Sequence, residues 1–413
     1  MTQLTYLEAA VVGLIQGVTE LFPVSSLGHN VLIPALIGGS WARDLNVAAA
    51  ESPYLAFIVG LHVATAIALL IYFWRDWVRI VKGFFSSLRQ IIRPAEGTTR
   101  WMLQSADEEL AWLIILATIP VGLAGLVFEH LFRVIFGKPA YAAVFLIING
   151  LILLAGERFR SRASLEADER IAAEREYALE GAAWGHARPY PGEARSYSGA
   201  ASPYTAEARS HSGAASPYTA EGRSYSGAAS PYTGEAGHAV GRRDLRHATS
   251  ARDQCHATSG RDQRHTSSRD LRLEEMDNAV ESDERLSRMG YGQAVIIGSA
   301  QVLALLAGIS RDGVTMVAGM ARGLSREDAA RFAFLLATPV ILAAGVLKIP
   351  DLMGPLGHGI RGQVVVGSVL SGVGAYISVK YLVRYFQTRT LTPFGIYCIV
   401  AGLASIAYLY LVK

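Results

Sequence analysis

Six stretches of this 413-residue chain are each apolar for about 20 residues: 53–73, 110–128, 140–156, 330–349, 362–382 and 393–412. Runs of that length and continuity are expected to cross a bilayer as helices. Two further apolar stretches, 4–37 and 291–320, are interrupted midway by Gly, Pro, Ser and ionisable residues. Broken backbone is tolerated at membrane depth only where it lines a protein cavity. Each is therefore expected to form a re-entrant helix–loop–helix that enters and leaves by one face. Gln16 precedes Ser25 by nine residues, Gln301 precedes Ser310 by nine, and three spans follow each interruption. The expected fold class is an all-α polytopic membrane protein built from two inverted repeats. Each repeat is a re-entrant helix-loop-helix plus three transmembrane helices, and discontinuous helices of such repeats commonly meet at a midplane site. The boundaries are 1–156 for the N-terminal membrane half, 157–289 for an insert and 290–413 for the C-terminal membrane half.

Composition supports the bilayer, with 51% hydrophobic and only 18% charged residues, below the roughly 25% of a soluble domain. Most of the charge falls inside the insert. A net charge of +3, with no basic stripe interleaved with aromatics, excludes a nucleic-acid partner. Cys255 and Cys398 form neither a disulfide framework nor a zinc spacing. The N-terminal residues lack a basic region and cleavage site, so no signal peptide is expected. Arg75, Arg79, Lys82, Arg89, Arg93 and Arg100 follow the first span, and Arg322, Arg326, Lys380, Arg384 and Arg389 fall on the same expected side. The opposite side carries mainly Arg43, Arg133, Lys138 and Arg361. The positive-inside rule makes the richer side cytoplasmic. The first re-entrant pair then opens outward, and the insert is cytoplasmic.

The insert contains three near-copies of a 14-residue unit, starting at Arg195, Arg209 and Arg223, and then Arg-Asp pairs at Arg243, Arg252, Arg261 and Arg269. These units lack the apolar face that stacked repeats need, so the insert is expected to be disordered. Its histidines, His211, His238, His247, His256 and His265, follow the repeat spacing rather than a metal-ligand pattern.

The first interruption reads QGVTELFPVSSLGH from Gln16 to His29. Glu20 lies one turn after Gln16 on the same helical face, Pro23 breaks the helix, and Ser25, Ser26, Gly28 and His29 follow. Hydroxyls, free backbone N–H groups and an imidazole converge there, a set that binds phosphate and supplies a nucleophile or a general acid/base. A polar cluster joining helices is the competing reading. Against it, an ionisable group near the bilayer centre costs roughly 2.5–3.5 kcal/mol on insertion scales. The second interruption, AGISRDG from Ala307 to Gly313, places Arg311 between Ser310 and Asp312 with glycines at 308 and 313. Glycine lets backbone approach a ligand, and the Arg fork matches phosphate oxygens. A structural bridge from Arg311 to Asp312 or Glu20 is the alternative.

These two segments resemble the signature motifs of the bacterial undecaprenyl-diphosphate phosphatase family, E/Q-x-x-x-E running into P-V-S-S-x-G-H, and P-G-x-S-R-S-G. The first is matched at Gln16, Glu20, Pro23, Val24, Ser25, Ser26, Gly28 and His29, and the second at Gly308, Ser310, Arg311 and Gly313. The flanks 113–128 and 319–339 also resemble family segments; the insert does not. Three departures stand out: Gln16 at the first acidic position, Ala307 for the usual proline, and Asp312 for a serine. Asp312 either repels phosphate or replaces part of the charge missing at Gln16.

The resemblance implies a polyprenyl diphosphate lipid as substrate, cleaved to the monophosphate at the outer face of a bacterial plasma membrane, which recycles the carrier of wall polymers. It implies a divalent cation, Mg2+ or Ca2+, at Glu20 and Gln16. It also implies that Ser25, Gly28, Ser310, Arg311 and Gly313 bind the diphosphate. Glu20 positions metal or water, and either His29 or Ser26 is the nucleophile or proton-transfer group. A lipid transporter or flippase is the main alternative, but a carrier needs charge rather than a nucleophile. The acid-phosphatase-like lipid phosphatases need a later His–Asp combination, and His358, the sole histidine after Arg311, lacks the spacing. Oligomeric state, a homodimer included, is left open.

Overall fold

A computed structural model of the chain describes residues 4–45, 53–92, 103, 105–183, 268–354 and 359–411. The described residues that carry secondary structure are helical throughout. The first interrupted stretch forms α1 (Tyr6–Thr19) and α2 (Ser26–Ile37), followed by a short α3 (Gly39–Asp44). A reciprocal capping box fixes the start of α1: Glu8 N donates to Thr5 Oγ1 at 3.2 Å and Thr5 N donates to Glu8 Oε2 at 2.8 Å. Then come α4 (Pro53–Tyr72), α5 (Trp74–Ile92), α6 (Ala106–Phe136) and α7 (Pro139–Arg158). After the insert, the second interrupted stretch forms α10 (Tyr291–Ser299), a 3-10 helix (Ala300–Leu305) and α11 (Arg311–Ala321). The last helices are α12 (Arg326–Met353), α13 (Arg361–Thr388) and α14 (Thr392–Leu411).

Five of these helices are long and apolar enough to cross a membrane, and a sixth span is available if the bent pair α4–α5 is taken as one. The start of the basic segment after the first span is the helix α5, turned 85° from α4. Its sequence explains this. Ile80, Gly83 and Ser87 recur at helical spacing and are buried, while Arg75, Arg79, Lys82 and Arg89 occupy other positions. Such a helix suits a membrane surface better than a span.

The helices pack through small residues. Gly13 and Gly17 of α1 lie against the backbone of Gly367 and Ser371 of α13, so close that a Cβ would collide with it. Lipid tails give no hydrophobic drive for helices to associate, and close backbone approach supplies dispersion contact instead. Besides α1–α13, the main pairs are α4–α13, α4–α12, α6–α10 and α7–α14.

The chain divides into two units, Met1–Ala183 with Arg272–Lys413, and Trp184–Leu271. The three repeats, the Arg-Asp pairs through Arg261 and the insert histidines lie outside the described residues. The expected disorder does not reach the ends of 157–289, which form α8 (Arg162–Ala183) and α9 (Ser268–Ser287). Ion pairs to the start of α12 explain the order. Arg175 pairs with Glu327 at 2.7 Å, Asp168 with Arg326 at 3.2 Å, Arg285 with Asp328 at 2.9 Å and Asp283 with Arg331 at 2.8 Å.

Candidate active site

Gln16 and Glu20 stack one turn apart at the end of α1, with Gln16 Nε2 donating to Glu20 Oε2 at 2.7 Å. Pro23 and Val24 lead into Ser25, the only non-glycine residue with positive φ (68°) among the described residues. A side chain with a Cβ is strained there, and the turn it makes serves both breaks. Ser25 Oγ caps α2 by accepting from Gly28 N at 3.2 Å, and it accepts from Gly308 N of the second break, also at 3.2 Å. Gly308 has φ 114°, and a Cβ on Gly28 would stand 2.9 Å from its Cα. Glycine is required at this crossing on both counts.

In the second break Ser310 caps α11 by accepting from Gly313 N at 3.2 Å. The cap orients Arg311 so that Nη2 donates to Glu20 Oε1 at 2.9 Å. The other carboxylate oxygen accepts from the Ser26 hydroxyl as well as from Gln16, and His62 Nε2 lies 3.4 Å from it. Glu20 is therefore the hub. It joins a hydroxyl, an amide and an imidazole to a guanidinium from the other half of the chain, and Gln16, Glu20 and Ser26 are all buried.

Asn149 of α7 ties the breaks together a second time. It is fully buried, its Nδ2 donates to Pro23 O at 3.0 Å and its Oδ1 accepts from Ser310 N at 2.9 Å. Asn149→Leu removes the acceptor of Ser310 N, at about 1–3 kcal/mol for a buried group left unsatisfied, and leaves Pro23 O only the weak Cys398 thiol donor. The variant is expected to melt earlier in detergent and to lose catalytic turnover with it. An unchanged melting temperature would refute this role.

The sequence-predicted residues separate into groups in the structure. Gln16, Glu20, Ser26 and Arg311 meet directly through Glu20. Ser25, Gly28, Ser310 and Gly313 form the two helix caps around them. His29 makes no bond to the Glu20 hub and meets only the Ser25 cap: its Nδ1 is 2.7 Å from Ser25 O, and its Nε2 is 2.8 Å from the hydroxyl of Tyr397 on α14. His62, Asn149, Tyr397 and Asn30, which donates to Gln16 Oε1 at 2.5 Å, escaped sequence reasoning. Two of them left a signal: His62 is the one acidic or basic residue in 53–73, and Asn149 the one amide in 140–156.

For a divalent cation the chain offers oxygen donors, which suit a hard ion. Gln16 Oε1 is engaged by Asn30. Asp312 is buried, lies close enough to Glu20 for their charges to interact, and keeps Oδ2 without a partner. Its Oδ1 is 3.5 Å from Arg311 Nε. No group of three His, Cys, Asp or Glu with metal-binding placement occurs among the described residues. Asp312 Oδ2 is thus the open carboxylate oxygen at the breaks, a donor of the kind a magnesium ion takes, whereas both oxygens of Glu20 already accept hydrogen bonds.

A family profile described as bacitracin resistance protein BacA matches residues 9–207 and 269–404. The undecaprenyl-diphosphatase of Mycolicibacterium paratuberculosis is 48% identical over 408 residues, 99% of this chain and 98% of that protein. The undecaprenyl-diphosphatase of Mycobacterium avium is 48% identical over 409 residues, covering 99% of each. Undecaprenyl-diphosphatase 2 of Frankia alni is 47% identical over 407 residues, covering 97% of each. With a match that spans both breaks, all of α4, α6, α7, α12 and α13 and most of α14, this chain belongs to the bacitracin resistance protein BacA family.

Proposed function

We propose that this chain is an undecaprenyl-diphosphate phosphatase whose reaction takes place where Glu20, Ser26 and Arg311 meet. The observation that carries the reading is the buried Glu20 carboxylate, which accepts the Ser26 O–H on one oxygen and Arg311 Nη2 on the other. A hydroxyl donating to a buried carboxylate is a nucleophile with its base attached, and the guanidinium beside it matches phosphoryl oxygens. In the first step Ser26 Oγ attacks the terminal phosphorus, its proton passes to Glu20, and undecaprenyl monophosphate leaves. As that product leaves, Glu20 passes the proton on to its departing phosphate oxygen and is a free carboxylate again. In the second step water attacks the phosphoserine, Glu20 takes the water proton and hands it to Ser26 Oγ, and inorganic phosphate departs. Arg311 shares its fork between Glu20 and the phosphoryl oxygens throughout. Ser25 and Ser310 hold the two turns in place by accepting from Gly28, Gly308 and Gly313 N, and so keep Ser26 and Arg311 at Glu20.

The divalent cation belongs to this reading, held by Asp312 beside Glu20; when bound it supplies charge neutralisation on the diphosphate. Phosphate release by the purified full chain from undecaprenyl diphosphate is expected to fall at least about tenfold with EDTA and to recover with Mg2+ or Ca2+. Undiminished release in excess chelator would remove the cation from the proposal.

The same reading makes the two halves inverted repeats. Exchanging α1 with α10, α2 with α11, α4 with α12, α6 with α13 and α7 with α14 turns the pair α1–α13 into α10–α6, and α2–α14 into α11–α7. The pairs α4–α12 and α7–α14 map onto themselves. An odd number of crossings per half inverts the second copy, and the breaks then enter from opposite faces. The basic helix α5 and the insert ends share a face, as Arg79 pairs with Asp283 of α9 at 2.6 Å and Asp76 with Arg331 of α12 at 3.0 Å. Its positive charge favours the cytoplasmic side, which leaves the Gln16–His29 break opening outward, toward diphosphate lipid at the outer face.

A further inference from the structure

The His29 ring is left outside the Glu20 hub, yet both of its nitrogens are engaged. Nδ1 lies 2.7 Å from the Ser25 carbonyl oxygen, an acceptor only, so Nδ1 carries the proton. In the neutral imidazole Nε2 is then a bare lone pair, and the Tyr397 hydroxyl, 2.8 Å away, is its donor. The two rings lie parallel within 4°, with centroids 5.8 Å apart. His29 is buried, whereas Tyr397 is 47% exposed on α14, an outer apolar helix. The phenol therefore covers the imidazole from the side that faces lipid. Because Ser25 is also the strained residue whose Oγ clamps both breaks, the ring is anchored to the turn that shapes the site.

We infer that Tyr397 is a positioning residue for the reaction, its phenol holding His29 with Nε2 unprotonated at the lipid-facing edge of the site. This rests on the phosphatase reading above and deepens it by naming which histidine nitrogen meets the diphosphate. On arrival of the lipid, the phenol gives up its place at Nε2. That frees the Nε2 lone pair to accept a hydrogen bond from the attacking water or from a protonated phosphate oxygen. No bond is made or broken in the exchange; one hydrogen bond replaces another. A half-exposed tyrosine suits this task, since its ring stays in the apolar phase while its hydroxyl reaches a polar partner.

The test uses the full chain in detergent with [15N]His labelling, together with phosphate release from undecaprenyl diphosphate. In the unsubstituted protein the His29 signals should show Nδ1 protonated and Nε2 bare. A ring protonated on Nε2, alone or on both nitrogens, would overturn the inference without any variant or turnover being measured. Tyr397→Phe keeps the ring stack and removes only the hydroxyl. It should shift the Nε2 signal and lower kcat about tenfold, with KM changed less than about twofold. Full turnover in Tyr397→Phe overturns the role, and so does lost turnover with unmoved ring signals. Failure of the phosphatase reading is distinguishable, for it would show as no phosphate release from the unsubstituted chain.

Discussion

Arg311→Ala is expected to lower kcat by about a thousandfold or more, the scale of losing an arginine that neutralises a phosphoryl group in its transition state. The size follows from where the residue sits. Its Nη2 donates to Glu20 Oε1 at 2.9 Å, so it is the only contact the second break makes with the carboxylate hub among the bonds described. Among the described residues it is the only arginine or lysine bonded to the Glu20 carboxylate, so charge developing on the phosphoryl oxygens loses its guanidinium partner when it is removed. Arg311→Lys separates charge from shape: a point charge without the planar fork should restore part of the rate and leave KM raised. The fold should survive both changes. Glu20 keeps Gln16 and Ser26 as donors, and the two breaks stay joined through Asn149 and Ser25. Equal melting temperatures for Arg311→Ala and the unsubstituted chain, measured in the same detergent, check that point. Activity within tenfold of the original would rule out this role.

Ser26→Ala should cost as much or more, on the order of a thousandfold or beyond, because it deletes the nucleophile itself. Glu20→Gln should come close to it by removing the proton acceptor. An amide also cannot take donors from Arg311, Ser26 and Gln16 at once, and some of the loss will be positional. Residues that act as one unit are strongly non-additive. The double variant Ser26→Ala with Glu20→Gln is therefore expected to be scarcely slower than the worse single one. Losses that multiply would mean that the two side chains act in separate steps, contrary to the Glu20–Ser26 hydrogen bond. His29→Ala should be milder than Ser26→Ala, because the imidazole contacts Ser25 and Tyr397 rather than the hub.

Both breaks could be read from the sequence because polar residues within apolar stretches carry a cost that only protein partners offset. That same logic identified Glu20, Ser26 and Arg311, and the nine-residue spacing of Gln16–Ser25 and Gln301–Ser310 brought the two breaks together. Other features depend on which helices face each other, and that is a tertiary fact. His62 and Asn149 are single polar residues in unbroken spans, and such residues also occur as isolated helix-to-helix contacts. Their importance emerges only once α4 sets His62 beside Glu20 and α7 sets Asn149 between Pro23 and Ser310. Tyr397 carried still less signal, since an aromatic residue on an exposed span face is ordinary in a membrane.

The ends of the insert are a different case. Their composition looks solvated, and α8 and α9 owe their order to carboxylates and guanidiniums supplied by α12, more than 40 residues away along the chain for the α9 pairs. Helix α5 is hard to read from sequence because its many charges obscure the three buried positions, Ile80, Gly83 and Ser87, that set its helical face.

The account stands most directly on one measurement. The purified full chain, in detergent and supplied with undecaprenyl diphosphate and Mg2+, is assayed for inorganic phosphate and for the lipid left behind, beside Ser26→Ala and Arg311→Ala prepared identically. The expected result is one phosphate and one undecaprenyl monophosphate per lipid consumed, with both variants folded and essentially inactive. Release of pyrophosphate in place of phosphate, or turnover undiminished in the variants, would contradict it.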